Sequence, residues 1–289
     1  MTTRRLVLST LLALVVAACS SGGGTTTSAT PASAAAPTPP ASPSPGSPGT
    51  AAAADLEVYA AASLKKALEQ VTSVYESANP GTTLTVSTDS SSALETKIEQ
   101  GAPADVFLSA DVTNPQKLVD GGFASGDVTP FAGNTLTIIV PTDNPAGIQT
   151  PADLAKAGIK IVAAGDNVPI TRYATQLVDN LAKESGYPAD FAASYAANVV
   201  SREDNVSAVV TKVELGEGDA GIVYVTDARG SDGVGTIDVP VAANVPATYG
   251  GVVVKESPDQ EAAAAFLTWL AGTEGQAVLA ELGFLPPGP

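Results

Sequence analysis

The chain has 289 residues, of which 44% are hydrophobic and 15% charged, with a net charge of −16 and no histidine. A chain of this length buries a sizeable core, which excludes disorder of the whole chain. The negative charge argues against nucleic acid and anionic lipid as partners, and suggests a cation binder as the first hypothesis. Without histidine, Ser-His-Asp catalysis, Cys-His catalysis and histidine-based metal sites are excluded.

The first predicted element is an export signal. Arg4 and Arg5 precede an apolar run, Leu6–Ala18, which is too short to span a bilayer as a lone helix. We predict a signal peptide over residues 1–18. The chain's single cysteine follows it, and the stretch ending at Cys19 resembles a bacterial lipobox, in which that cysteine is lipidated. An ordinary secretory signal that contains a cysteine is the alternative.

A tether follows the export signal. Residues 20–54 consist only of Ala, Pro, Ser, Thr and Gly, and seven of these 35 positions are proline. Such a composition cannot build a core, so we predict a disordered, extended tether over residues 19–54. All 30 acidic residues lie beyond it, with 12 of the 14 basic ones, so the folded part carries a net charge of −18.

From Asp55 onward, short apolar runs alternate with stretches of helical periodicity. We predict strands at 56–60, 84–86, 106–108, 135–140, 160–163 and 220–224, and helices at 64–75, 93–100, 115–120, 170–184, 206–215, 262–270 and 276–282. This alternation predicts an α/β fold with mixed, mostly parallel sheets and helices on both faces. About 235 folded residues suit two such lobes, and the last two helices should pack back on one of them.

Ligands of open α/β sheets bind beyond the carboxyl ends of the strands, so the junctions between strands and helices are candidate sites. Ser63 and the run Ser90–Ser92 place hydroxyl groups at two junctions. Gly165–Ile170 and Glu203–Val206 open two later helices, and Tyr224 ends a buried strand. Each has an ordinary alternative: helix caps for the serines, turns for the later junctions, and a core residue for the tyrosine.

Several of these stretches together carry a family resemblance. They are Val58–Leu64, Ser90–Leu94, Gly101–Asp111, Gly165–Pro169, Asn205–Val206 and Gly221–Tyr224. The sequence, order and spacing of these stretches resemble those of the ModA-type molybdate-binding proteins, which are the substrate-binding components of ABC importers. The resemblance covers the chain from Asp55 onward. The resemblance implies the two-lobed, type II periplasmic-binding-protein fold, with lobe 1 over 55–134 plus 240–289 and lobe 2 over 135–239.

The resemblance also implies an oxyanion site between the lobes. Its residues would be Ser63, Ser91, Ile170, Val206 and Tyr224. The serines and the tyrosine would donate through their hydroxyl groups, and Ile170 and Val206 through backbone N–H groups. Thr171 stands where relatives commonly have glycine; its hydroxyl would add a contact or stiffen the turn. We expect Arg172, the next residue, to be a solvated helix charge.

A tetrahedral dianion accepts hydrogen bonds and offers no proton, so a site built from neutral donors suits it without a cation. We therefore expect molybdate as the ligand, with tungstate nearly equal, and neither a cofactor nor a directly bound metal cation. The hypothesis includes hinge closure around the anion, delivery to a membrane ABC permease, an extracytoplasmic location with a lipid anchor on Cys19, and a monomeric state.

Three other classes of function remain open. An enzyme is disfavoured because no pair of carboxylates recurs at acid–base or metal-ligand spacing. A receptor for another ligand is possible, such as sulfate or a ferric complex; against iron, the chain's seven tyrosines include no adjacent pair. A surface lipoprotein without a transport function would need no pocket.

Overall fold

The computed structural model describes residues 53–288. The predicted signal peptide, Cys19 and all but the last two residues of the predicted tether lie outside the described residues. In the part that is described, no helix combines the length and the apolar character needed to cross a membrane.

Ten strands and nine α-helices form the described part of the chain. The strands are β1 Asp55–Ala61, β2 Thr83–Asp89, β3 Val106–Ser109, β4 Ala124–Asn134, β5 Leu136–Pro141, β6 Ile161–Ala164, β7 Val199–Glu203, β8 Ala220–Tyr224, β9 Val234–Ile237 and β10 Ala247–Val254. The helices are α1 Lys65–Ala78, α2 Ser91–Glu99, α3 Thr113–Asp120, α4 Pro169–Leu181, α5 Phe191–Asn198, α6 Val206–Glu214, α7 Val225–Arg229, α8 Gln260–Ala271 and α9 Thr273–Glu281. Two short 3₁₀ helices occupy Ala62–Leu64 and Pro151–Ala155.

The strands form two five-stranded sheets, in the orders β2-β1-β3-β10-β4 and β7-β6-β8-β5-β9. In each sheet four strands share one direction, and the fifth, β10 or β5, is antiparallel to both of its neighbours. The predicted α/β fold with mixed, mostly parallel sheets is confirmed. We call the first sheet with its helices lobe 1 and the second sheet with its helices lobe 2.

The chain passes from lobe 1 to lobe 2 between β4 and β5 and returns between β9 and β10. The division into lobe 1 over 55–134 plus 240–289 and lobe 2 over 135–239 stays a prediction. After the second crossing, α8 packs against β4 and β10, and α9 packs against α1. Tyr75, Phe266 and Trp269 form an aromatic cluster there, with ring centroids 4.9 and 5.0 Å from Tyr75.

The parallel strands place their carboxyl ends at the cleft between the two sheets. In lobe 1, β1 leads into the 3₁₀ helix that holds Ser63, and β2 leads into α2. In lobe 2, β6 leads towards α4, β7 towards α6, and β8 directly into α7. Because helix starts present unpaired backbone N–H groups, this topology gathers hydrogen-bond donors from both lobes at one place.

Candidate ligand-binding site

A small cavity with about 200 Å³ of unfilled space lies between the two lobes. Its lining residues are Ala61, Ala62, Ser63, Ser90, Ser91, Ala110, Val168, Pro169, Ile170, Val206 and Tyr224. The structure therefore brings all five residues of the predicted site together around one cavity. None of the eleven described residues that line it is charged.

Ser63 and Ser91 are the two buried serines predicted to donate to a ligand. Neither caps a helix: Ala61 and Ser90 hold the N-cap positions, and the Ser90 hydroxyl accepts from the N–H of Ala93. The alternative of a simple helix cap is thus wrong for both. The oxygen of Ser91 accepts from the N–H of Ala110 at 3.1 Å. Its hydrogen is left for a group in the cavity.

The starts of α4 and α6 supply backbone donors from lobe 2. Pro169 is the first residue of α4 and has no N–H, so Ile170 provides the first amide hydrogen of that helix. Val206 is the first residue of α6, after the N-cap Asn205. Since the first N–H groups of a helix have no acceptor within it, the amides of Ile170 and Val206 are free to bond a ligand. The dipoles of both helices favour an anion at this position.

Tyr224 ends β8, and its side chain is almost fully buried. Among residues 53–288 its hydroxyl has no hydrogen-bond partner, although its oxygen is buried. The ring lies between those of Tyr173 and Tyr249, with centroids 6.2 and 5.5 Å away. Burial raises the pKa of Tyr224 well above 10, so the group is a neutral phenol that can donate a hydrogen bond. A buried polar atom without a partner costs about 1–3 kcal/mol, which points to a ligand as its acceptor.

Thr171 and Arg172 do not line the cavity. The Thr171 hydroxyl bonds the carbonyl oxygens of Ala164 and Gly165, at 3.1 and 2.8 Å, so it stiffens the turn before α4. Arg172 is only half exposed and reaches across to lobe 1. Its Nη1 donates to Thr113 Oγ1 at 2.7 Å, and its Nη2 lies 3.4 Å from Asp111 Oδ2. Arg172 is exposed on α4 and is not a cavity residue, as expected, but its contacts with Asp111 and Thr113 of the facing lobe were not predicted.

Two carboxyl groups lie behind the lining residues. Asp111 is buried and accepts from the Ser109 hydroxyl and from the backbone N–H of Asn114. Asp227 accepts from the backbone N–H of Tyr224 at 3.1 Å, and burial raises the pKa of Asp227 to about 7. In the described part of the chain, no three His, Cys, Asp or Glu side chains come together as a metal site would require.

A larger cavity, with about 670 Å³ of unfilled space, lies inside lobe 2 between α4 and α5. Its lining is largely small and apolar, with Ala163, Ala174 and Val178 among its residues. Of the predicted site residues it touches only Ile170. The smaller cavity is the better candidate site because donors from both lobes converge on it.

Two lobes that enclose a small cavity, lined by uncharged residues and by hydrogen-bond donors of both lobes, define a solute-binding protein. Comparison with known proteins gives the same class of protein. The family described as bacterial extracellular solute-binding protein matches residues 56–285. The molybdate-binding protein ModA of Mycobacterium tuberculosis is 33% identical, over 82% of this chain and 87% of the relative. The chain belongs to the bacterial extracellular solute-binding proteins and, among them, to the ModA family.

Two further comparisons also match substrate-binding proteins of transporters. A putative ABC transporter substrate-binding lipoprotein of Bacillus subtilis, YvgL, is 31% identical over 79% of this chain and 85% of its own length. Among solved structures, the substrate-binding domain of a putative molybdenum ABC transporter from Clostridium difficile superposes with a TM-score of 0.61. It is 27% identical and covers 81% of this chain and 100% of its own.

Proposed function

We propose that this protein binds molybdate outside the cytoplasm and delivers it to an ABC permease. The observation that carries the proposal is the buried Tyr224 hydroxyl, which has no partner among residues 53–288 and lines a cavity without charged residues. Hydroxyl and amide donors from both lobes surround the same space. A cation would need oxygen acceptors there, whereas a deprotonated tetraoxyanion accepts from every one of these donors.

The energetics of the donor set support an anion. A hydrogen bond to a charged group contributes about 1.5–3 kcal/mol, so five donors can offset the desolvation of a small dianion. The starts of α4 and α6 add a favourable dipole of about 0.3–1 kcal/mol each. Tungstate has the same charge and shape as molybdate, so we expect it to bind nearly as tightly. Sulfate has shorter bonds to oxygen, and its hydrogen bonds in a cage sized for molybdate would be stretched and weak.

Isothermal titration with molybdate, tungstate, sulfate and phosphate tests this proposal. We expect tight binding of the first two and much weaker binding of sulfate. The Ser63→Ala/Ser91→Ala variant should lose about 100-fold or more in affinity and stay folded, because it removes two hydrogen bonds to a charged ligand. Ser77→Ala is the matched control, since the Ser77 hydroxyl bonds the carbonyl oxygen of Ser73 on an exposed face.

Two results would contradict the proposal. If sulfate bound as tightly as molybdate, the protein would be a receptor for another oxyanion. If no oxyanion bound, it would be a surface lipoprotein of another function. An enzyme is a weaker candidate than a carrier because the cavity lining offers donors and no carboxylate to act as acid or base.

We also propose that the lobes close over the anion as a hinge. Two contacts across the cleft support this: Ser207 Oγ donates to the carbonyl oxygen of Ala62 at 3.2 Å, and Arg172 reaches Asp111 and Thr113. Small-angle scattering should show a smaller radius of gyration at saturating molybdate. An unchanged radius would contradict closure.

Anchoring through a lipid on Cys19 belongs to the same proposal, with the protein acting as a monomer. The position of the chain's single cysteine directly after the apolar run supports it. In cells, Cys19→Ser should move the protein from the membrane fraction to the soluble fraction. Retention in the membrane fraction would contradict lipidation.

A further inference from the structure

Tyr249 lies behind Ser63, outside the cavity lining, and its hydroxyl group contacts that serine. It belongs to β10 and is fully buried. Its hydroxyl oxygen lies 3.0 Å from Ser63 Oγ and 3.4 Å from Asn134 Nδ2. Within residues 53–288 these are the two hydrogen-bond partners of the Tyr249 hydroxyl. The three side chains therefore form a chain of hydrogen bonds that ends at the cavity.

A backbone N–H group determines which group donates in each of these hydrogen bonds. The N–H of Thr135 can only donate, and it lies 2.9 Å from Asn134 Oδ1, so this atom is the amide oxygen. The NH₂ group of Asn134 must then face Thr226 Oγ1 at 2.8 Å and the Tyr249 hydroxyl. Because that NH₂ group can only donate, the Tyr249 oxygen accepts from it.

The hydrogen of Tyr249 then has one partner left, the oxygen of Ser63. If Ser63 donated to Tyr249 instead, the phenol hydrogen would be buried without an acceptor, at a cost comparable to a lost hydrogen bond. Ser63 therefore accepts from Tyr249, and its own hydrogen is left for the cavity. Ser91 is fixed in the same sense by the N–H of Ala110.

We propose that Tyr249 is a positioning residue that makes Ser63 a hydrogen-bond donor, and that the site thereby selects fully deprotonated oxyanions over oxyanions that carry a proton. This inference rests on the proposed function. A protonated oxyanion such as hydrogen phosphate needs an acceptor for its O–H group. A serine whose hydrogen already points into the cavity and whose oxygen already accepts from Tyr249 is a poor one.

The test compares Tyr249→Phe with the wild-type protein in titrations with molybdate and with hydrogen phosphate. Loss of the phenol should weaken molybdate binding about 10-fold, the value of one ordinary hydrogen bond. Affinity for hydrogen phosphate, measured by competition, should stay the same or rise, because the freed Ser63 hydroxyl can turn and accept. Tyr75→Phe is the matched control, a buried tyrosine of lobe 1 that packs against Phe266 and Trp269.

A double-mutant cycle separates positioning from a general structural effect. In the Ser63→Ala background, Tyr249→Phe should cost no more than about 2-fold in molybdate affinity, because Tyr249 acts through Ser63. An undiminished loss in that background, or an equal loss for both anions, would overturn the inference. Failure of the proposed function would show separately, as absence of molybdate binding by the wild-type protein.

Asn134→Asp provides a second route if Tyr249→Phe does not fold. An ionised carboxylate accepts where the amide donated, so the Tyr249 hydroxyl would turn towards it and Ser63 would donate to Tyr249. The ratio of molybdate to hydrogen phosphate affinity should then fall about 10-fold. The added charge acts on both dianions alike, so an unchanged ratio would overturn the inference.

Discussion

The buried hydroxyl of Tyr224 destabilises the ligand-free protein, and the same hydroxyl is proposed to donate to the anion. This hydroxyl has no partner among the described residues, and it contacts the proposed ligand cavity. Tyr224→Phe should therefore leave the melting temperature of the ligand-free protein unchanged or higher, because it removes an unsatisfied polar atom. The same change should reduce molybdate affinity about 10- to 100-fold, since a hydrogen bond to an anion is lost.

Differential scanning fluorimetry and calorimetric titration measure the two effects on the same sample. A lower melting temperature with unchanged affinity would mean that the hydroxyl is structural. Tyr75→Phe again serves as the control, since it lies away from the cleft.

Asp227 makes stability depend on pH. Burial raises its pKa from 3.8 to about 7 in the folded protein, so between these values the folded state binds more protons than the unfolded state. The contribution of Asp227 to stability is present at low pH and is lost as pH rises through about 7. Asp227→Asn should reduce the loss of melting temperature between about pH 5 and pH 8.

Thermal unfolding across this pH range measures the effect. Asp143→Asn, in an exposed turn, is the control and should follow the wild-type profile. If Asp227→Asn also followed the wild-type profile, the raised pKa of Asp227 would be contradicted.

Residues at strand ends could be predicted from the sequence, whereas the residues that orient them could not. Ser63 and Ser91 lie just after β1 and β2, Tyr224 ends β8, and strand ends converge in this fold. Tyr249 is 186 residues away from Ser63 along the chain, and no local pattern marks their contact. The partner of a long-range hydrogen bond depends on the register of β10 against β3 and β4, which composition and periodicity do not specify.

At the scale of elements, α4 connects the two lobes through Arg172. The guanidinium of Arg172 forms an ion pair across the cleft with the buried carboxylate of Asp111. Arg172→Gln would leave Asp111 without its cationic partner, close to the proposed anion. We expect molybdate to dissociate about 5-fold faster, because the variant removes a contact between the lobes and the loss of a contact acts mainly on the dissociation rate.

Stopped-flow displacement measures this rate. Lys156→Gln is a suitable control, because Lys156 pairs with Asp153 within lobe 2, with 2.7 Å between Nζ and Oδ1. Equal dissociation rates for Arg172→Gln and the wild-type protein would show that the bridge does not hold the lobes together.

Four strands and two helices were missing from the elements predicted by periodicity: β4, β7, β9, β10, α5 and α7. β4 contains Gly126 and Pro130 within eleven residues, and β10 contains the pair Gly250 and Gly251, so neither shows a regular alternation. These two strands are nevertheless neighbours in the lobe 1 sheet, and their pairing shows register shifts. Partners distant in sequence stabilise them where local propensity does not.

Gly221 belongs to a stretch that carries the family resemblance, and the need for glycine at this position becomes clear only from the packing around it. A Cβ atom at this position would lie 2.9 Å from Val209 Cγ1 and 3.0 Å from the carbonyl oxygen of Val162. Glycine therefore lets α6 pack closely on β8, which brings Val206 and Tyr224 to the same cavity.

At the scale of the whole molecule, we expect net charge to act on the association rate of the anion and the donors of the site to act on its dissociation rate. The folded part carries 12 basic and 30 acidic residues, and therefore repels a dianion at long range. Salt screens this repulsion, with a Debye length of about 8 Å at physiological ionic strength. We expect the association rate of molybdate to rise with added sodium chloride, and the dissociation rate to change little.

Stopped-flow binding from low to physiological salt measures both rates. An association rate that falls with salt would indicate local attraction by basic residues at the cleft, which would contradict a site built from neutral donors.

The five predicted donors are divided between the lobes, with Ser63 and Ser91 on one side and Ile170, Val206 and Tyr224 on the other. Each lobe alone offers the anion an incomplete shell, so tight binding exists only while both halves face each other. Release then requires no competing ion, no proton and no chemical step. A transporter that separates the two lobes would convert one strong site into two weak ones. The anion would then leave towards the side that the opened cleft faces.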